Sequence, residues 1–216
     1  MAIPVVHLAE NSPPARRDSV AARAYPLGET DRPARADGSA SIVRYLAVET
    51  SARYQRNTKS TFCNIYACDY CYLAGVYLPR VWWTDGALEK LAAGEEVPVR
   101  YGETVRELNA NALYGWLKQY GPEFGWSEVG SEDELQRAVN EGKVGVICAQ
   151  RKVAAASGHI AVVVPEQSDH AAERAGSVVR LPLQSQAGAR NFCYSCGLSK
   201  WWAGAQFRAF GFFVHD

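Results

Sequence analysis

Apolar residues recur along this chain with two periods, and the change between them falls near residue 143. Ahead of it the spacing is helical. Ile42, Val43, Leu46, Ala47 and Val48 predict a short amphipathic helix or an extended lead-in over 41–52. The run opened by Cys63 carries Ile65, Tyr66, Tyr70 and Tyr72 as a buried face, continues through Leu73 and Ala74, and stops at Gly75, with Ser60 or Thr61 as the N-cap. Val76 to Trp83, broken by Pro79, reads as an aromatic loop that lines a groove. Residues 84–142 read as mostly helical, in three pieces. A short helix over 87–92 ends at Gly94, and one over 104–120 carries Val105, Leu108, Leu113, Trp116 and Leu117. The third opens on a capping box, Ser131 to Glu134, presents Leu135 and Val139, and closes at Gly142.

Beyond 143 the apolar runs are continuous and short, predicting strands over 144–149, 159–164, 178–183 and 210–215. Helices first and strands afterwards give an α+β fold with an antiparallel sheet. Residues 1–40, rich in Pro, Ala, Arg, Ser and Asp, read as a flexible N-terminal arm, with a docking or address segment as the alternative. Residues 41–216 then form a single domain, with 84–142 as a helical insertion that shapes access to a site or serves as scaffold.

A chain of 216 residues that is 48% hydrophobic can bury one sizeable core. Its formal net charge of zero, with no long basic run, argues against nucleic-acid binding by bulk electrostatics. No stretch approaches the length of apolar sequence that a membrane span requires. The first ten residues lack the basic and apolar regions of a secretory signal, so the expectation is cytosolic synthesis with any export by another route.

The chemistry concentrates on two residues. Cys63 follows a polar segment and sits in the first turn of its helix, where the macrodipole and unpartnered N–H groups favour a thiolate. His159, preceded by Gly158, stands at the mouth of an apolar strand. A thiol and an imidazole so presented are a nucleophile and its general base, and a third group should orient the ring. If the strands over 159–164 and 178–183 form a hairpin, His159 faces roughly position 184, and Gln184 or Gln186 accepts from the ring N–H. Asn191 and Glu166 are weaker choices, and Asp69 lies too far round the helix to be a base.

A cysteine opening a helix, followed by Gly158-His159 and five apolar residues on a strand, resembles the NlpC-like and CHAP branches of the papain-like peptidoglycan hydrolases. The similarity covers roughly residues 42–216 in layout. It implies a papain-like α+β fold and a cofactor-independent cysteine hydrolase that cuts amide bonds in the peptide stems of bacterial peptidoglycan. Cys63 would be the nucleophile, His159 the base, and Gln186 or Gln184 the orienting residue. The oxyanion would be held by the Cys63 backbone N–H, with Tyr54 or Asn64 assisting. The chain departs from the NlpC-like pattern in carrying Cys63-Asn64 where Asp-Cys-Ser-Gly is usual, in its long helical insertion, and in an amide as the third group. Without a signal peptide, the resemblance points to a phage lysis enzyme or, better suited by a single compact domain, to an antibacterial effector carried by a contact-dependent, type VI-like secretion system to a target cell's periplasm, with a cognate immunity protein as a partner.

Other readings compete. The same thiol and imidazole serve a protease, a deamidase or a transglutaminase acting on proteins. Cys68-x-x-Cys71 and Cys193-x-x-Cys196 have the spacing of a structural zinc site in a binding module. Trp82, Trp83, Trp201 and Trp202 offer an aromatic surface to an interaction protein.

Overall fold

The computed structural model describes residues 3–6, 38–153 and 155–216. The arm expected over 1–40 therefore lies outside the described residues, except at its two ends. Residues 3–6 dock on the domain: the Val6 N–H donates to the Tyr77 hydroxyl, and the Trp83 indole donates to the Pro4 carbonyl. Residues 38–40 open the first helix, α1 (Gly38–Leu46).

Helix α2 (Cys63–Leu73) follows, then β1 (Val81–Trp83), α3 (Asp85–Ala92), β2 (Val105–Glu107), α4 (Ala110–Gln119), β3 (Trp126–Val129) and α5 (Glu132–Asn140). The C-terminal half supplies β4 (Val144–Arg151), β5 (His159–Val163), β6 (Glu173–Ala175), β7 (Val178–Leu181), β8 (Gln184–Gln186), β9 (Phe192–Ser195) and β10 (Phe207–His215). Among the described residues the main sheet has six strands in the order β3-β10-β4-β5-β8-β9, every pair antiparallel. The fold class is α+β.

Both faces of this sheet are covered, which explains why its central strands read as unbroken apolar runs rather than as alternating ones. From β4 and β5, Val146, Cys148, Ile160 and Val162 join the core formed with α1, α2 and α4. Ile147, Ala149 and Val163 point the other way, toward Leu135 and Val139 of α5 and toward Trp202. Each aliphatic side chain so buried contributes about 1.5–3 kcal/mol.

Four expectations need correction. The helix placed over 104–120 starts only at Ala110, because Asn109 caps it by accepting the Ala112 N–H at 3.0 Å. Val105 instead lies on β2, which pairs with β1, so 76–83 is partly a strand, and Trp82 and Trp83 are buried rather than groove-lining. Residues 84–142 are not a purely helical insertion, since β3 is an edge strand of the main sheet. Finally, β7 pairs with β6 and not with β5. The chain passes Pro182, which has no N–H to give a ladder, and the next segment, β8, takes the place beside β5. The register Val163↔Gln184 and Val162↔Ser185 puts position 188, not 184, across from His159.

Candidate active site

Helix α2 brings Cys63 to the sheet without help from a capping side chain. Its N-cap is Phe62 and makes no side-chain cap bond, so neither Ser60 nor Thr61 plays the expected part. The helix is anchored further along its length. Asp69, buried, takes two bonds from the Arg53 guanidinium, at 2.6 and 3.0 Å, and one from the Tyr54 hydroxyl at 2.8 Å. Tyr66 shares a 2.5 Å hydrogen bond with Ser185 of β8. One side of α2 is thus fixed to the loop before it and the other to the sheet that carries the histidine.

The turn ahead of His159 is held as tightly. Asn111 of α4 donates to the Ala156 carbonyl at 2.8 Å and accepts the Arg151 N–H at 2.9 Å, clamping the end of β4 to that turn. Gly158 passes between them: a Cβ there would lie 2.4 Å from the Ala149 oxygen and 2.6 Å from Asn111 Oδ1. Only glycine fits this approach.

His159 Nε2 lies 2.6 Å from Gln186 Oε1. The Gln186 amide is itself oriented, because its Nε2 donates to the Arg190 carbonyl at 3.1 Å. Its oxygen therefore faces the ring, and His159 Nε2 must carry a proton. That leaves Nδ1 as the ring nitrogen to face the Cys63 thiol, whose charge and hydrogen bonding act on the imidazole.

Cys63 is only 2% exposed. Burial by itself raises a thiol, but the charge and hydrogen bond of His159, with backbone N–H groups of Ile160 and Asn64, outweigh it and hold Cys63 below the ordinary thiol range. Burial likewise opposes a charged imidazole. The Cys63 thiolate, its hydrogen bond and the bond to Gln186 prevail, and His159 is raised above its ordinary value. A lowered thiol beside a raised imidazole shifts the two groups toward a thiolate–imidazolium pair.

Trp201 completes the surroundings of the ring. Its indole meets His159 nearly edge-on, 4.6 Å between centroids, and donates to Gln184 Oε1 at 2.8 Å. Gln184, fully buried, also donates to the Pro182 and Cys196 carbonyls. Of the two glutamines, then, Gln186 touches the imidazole and Gln184 positions the indole packed on it.

The site opens into a cleft of about 950 Å³, bordered by His159, Gln186, Asn64, Phe62, Trp201 and Phe207. The remaining expected residues fall elsewhere. Tyr54 does not serve an oxyanion: it is buried, and its hydroxyl is committed to Asp69. Asn64 borders the cleft, but its side-chain N–H donates to the Leu108 carbonyl at 3.0 Å. Asn191 ties the Val48 and Tyr54 carbonyls together, and Glu166 pairs with Arg174. Cys68 and Cys71 are sealed inside α2, Cys196 donates to the Ala171 carbonyl, and among the described residues no group of three or more metal-ligating side chains is assembled. The four thiols of the zinc reading are not brought together. Trp202, like Trp82 and Trp83, is core, which removes three of the four tryptophans from the expected interaction surface.

Sequence reasoning missed Trp201 as a neighbour of the histidine, Asn111 as the clamp, and the Ile160 N–H beside the thiol. Only Trp201 left a signal, a paired tryptophan beside glycines and a lysine, and it carried no pointer to residue 159.

Fold and site together define an α+β chain with a cysteine–histidine–glutamine constellation at the foot of an open cleft. No protein-family model and no curated protein matches it.

Proposed function

We propose that this protein is a papain-like cysteine hydrolase that cuts amide bonds in the peptide stems of bacterial peptidoglycan. The observation that carries the reading is His159 held between Cys63 and Gln186 at the cleft, with the amide of Gln186 itself oriented by Arg190. A helix that presents the thiol and a strand that presents the imidazole support the papain-like assignment.

In this mechanism the Cys63 thiolate attacks the scissile carbonyl carbon and a C–S bond forms. The oxyanion accepts from the Cys63 backbone N–H, in the first helical turn where no helical carbonyl claims it. His159, protonated at both nitrogens, gives its Nδ1 proton to the leaving amine as the C–N bond breaks. The neutral ring then takes a proton from water, whose oxygen attacks the thioester; the C–S bond breaks, the acid leaves, and the Cys63 thiolate and the His159 imidazolium are restored. Gln186 keeps Nε2 protonated throughout, so that Nδ1 alone exchanges protons. Delivery to the periplasm of a target cell, and restraint by a cognate inhibitor protein, belong to the same proposal.

Digestion of purified peptidoglycan fragments by wild type and by Cys63→Ala, with products read by mass, tests it. Cleavage that vanishes in the variant supports the reading and identifies the bond. Intact fragments, from folded protein whose Cys63 is hyper-reactive, overturn the wall assignment and move the substrate to proteins.

A further inference from the structure

The chain has a formal net charge of zero, yet its cleft does not. Arg56, Lys59, Arg151 and Arg190 all border it. They come from three separate segments: the loop before α2, the end of β4 and the turn between β8 and β9. Among the described residues none of the four is paired with a carboxylate. The Arg151 guanidinium lies 5.0 Å over the Phe207 ring, and its Nε donates to the Ser157 carbonyl. These contacts fix its direction and leave its charge uncompensated. Arg190 stands on the turn whose carbonyl holds Gln186. Glu107, the acidic residue of the lining, is bridged to the buried Arg80 at 3.6 Å.

A cleft of this size with four cations on its walls focuses a positive potential on whatever enters. Apolar residues on its border, among them Leu198, Trp201 and Phe207, offer contact area and carry no charge. Leu198 is 99% exposed, the most exposed large apolar side chain among the described residues, and sits on the same border.

We infer that the cleft selects acidic peptides: free carboxylates flanking the scissile amide are held by Arg151 and Arg190, with Arg56 and Lys59 adding attraction from the loop before α2. This rests on the reading of the cleft as the catalytic site, and it names the substrate class of that site. Neutral peptides, and peptides whose carboxylates are amidated, are the poor ligands.

The test is calorimetric titration of full-length Cys63→Ala with acetyl-alanyl-glutamyl-alanine, once with both carboxylates free and once with both amidated. The acidic form is expected to bind about tenfold tighter in about 50 mM salt, with the preference shrinking in about 500 mM salt. Arg151→Gln and Arg190→Gln each reduce the preference, about two- to fivefold per charge removed, while Arg151→Lys retains it. The lysine variant separates charge from packing, since the Phe207 and Ser157 contacts of Arg151 are altered in both substitutions. Equal binding of the two peptides, no binding of either, or a preference untouched by the glutamine variants overturns the inference.

Wall fragments separate the two levels. Protein that prefers the acidic peptide but leaves fragments intact keeps the selectivity and refutes the wall reading. Protein that cuts native and carboxylate-amidated fragments equally fast keeps the wall reading and refutes the selectivity.

Discussion

Replacing Gln186 by alanine removes one hydrogen bond and nothing else that reaches Cys63. His159 Nε2 loses its acceptor at 2.6 Å, and the Arg190 carbonyl loses a donor at the outer side of the site. A hydrogen bond to a charged group contributes about 1.5–3 kcal/mol. The bond holds the imidazolium more strongly than the neutral ring, because burial penalises the charged form and the Gln186 oxygen is one of the groups that offset the penalty. The variant should therefore lose about ten- to hundredfold in the reactivity of the thiolate–imidazolium pair at neutral pH. The pH dependence gives the sign. Reactivity rises as the Cys63 thiol ionises, and that limb is displaced to the acid side because its pKa is lowered. It falls as His159 loses its second proton, and that limb is displaced to the alkaline side because its pKa is raised. The two limbs describe the coupled pair rather than either residue alone. Without Gln186 the alkaline limb should retreat to lower pH and the plateau should narrow. Iodoacetate alkylation of Cys63, followed by mass across the pH range, measures this with no substrate, because the anionic reagent is drawn to the imidazolium and loses that attraction when His159 deprotonates. Gln184→Ala is the control: it frees the Trp201 indole and leaves the His159 bond in place, so the width of its plateau should stay near wild type. A Gln186→Ala profile that overlays wild type would refute the assignment of Gln186 as the orienting group.

Among the six cysteines, limited alkylation at neutral pH should label Cys63 first, although it is far less exposed than Cys193 and Cys196. Burial and nearby glutamates raise the last two, and Cys63 alone is lowered. Peptide mapping that finds Cys193 or Cys196 modified ahead of it sinks the thiolate argument. Asp69→Ala removes the carboxylate that takes two guanidinium bonds and a tyrosine hydroxyl inside the core. Breaking a buried pair in this way costs about 3–5 kcal/mol, which urea denaturation would register as a large fall in midpoint. A change below about 1 kcal/mol would mean that this cluster does not anchor α2. Gly158→Ala forces a methyl group against the Ala149 oxygen and Asn111. It should cost about 1–3 kcal/mol and depress Cys63 alkylation along with stability. Unchanged alkylation would show that the turn does not position His159.

How much of this was legible depends on how far apart in sequence the deciding residues lie. The helix opening at Cys63 and ending at Gly75 is a local pattern, and the structure places α2 there, with Gly75 in the left-handed conformation its stop requires. The strands over 144–149 and 159–164 were legible because burial on both faces leaves apolar runs that no exposed helix tolerates. Pairing partners were not. The run over 178–183 has the composition of a sheet strand, but Pro182 divides it, and the half after the proline joins β5 through the Val164 N–H to the Leu183 carbonyl. The glutamine expected near the histidine emerged from a hairpin that does not form. Gln186 still reaches His159 because β8 occupies the place the hairpin strand was to have, shifted by four positions. The misplacement of Tyr54 has another origin. The resemblance to NlpC-like enzymes, which carry a tyrosine upstream of the cysteine, suggested an oxyanion role, whereas a buried Asp69 on α2 needed donors, and Arg53 and Tyr54 were within reach to satisfy it. The cleft's cations were the least legible, since Arg56, Lys59, Arg151 and Arg190 lie on three segments and a charge count of the whole chain cancels them. What the net charge of zero hides is a cleft lined by cations whose charge is cancelled only in the count over the whole chain. Selectivity in such a chain lies in the fold that gathers the charges rather than in any run of them.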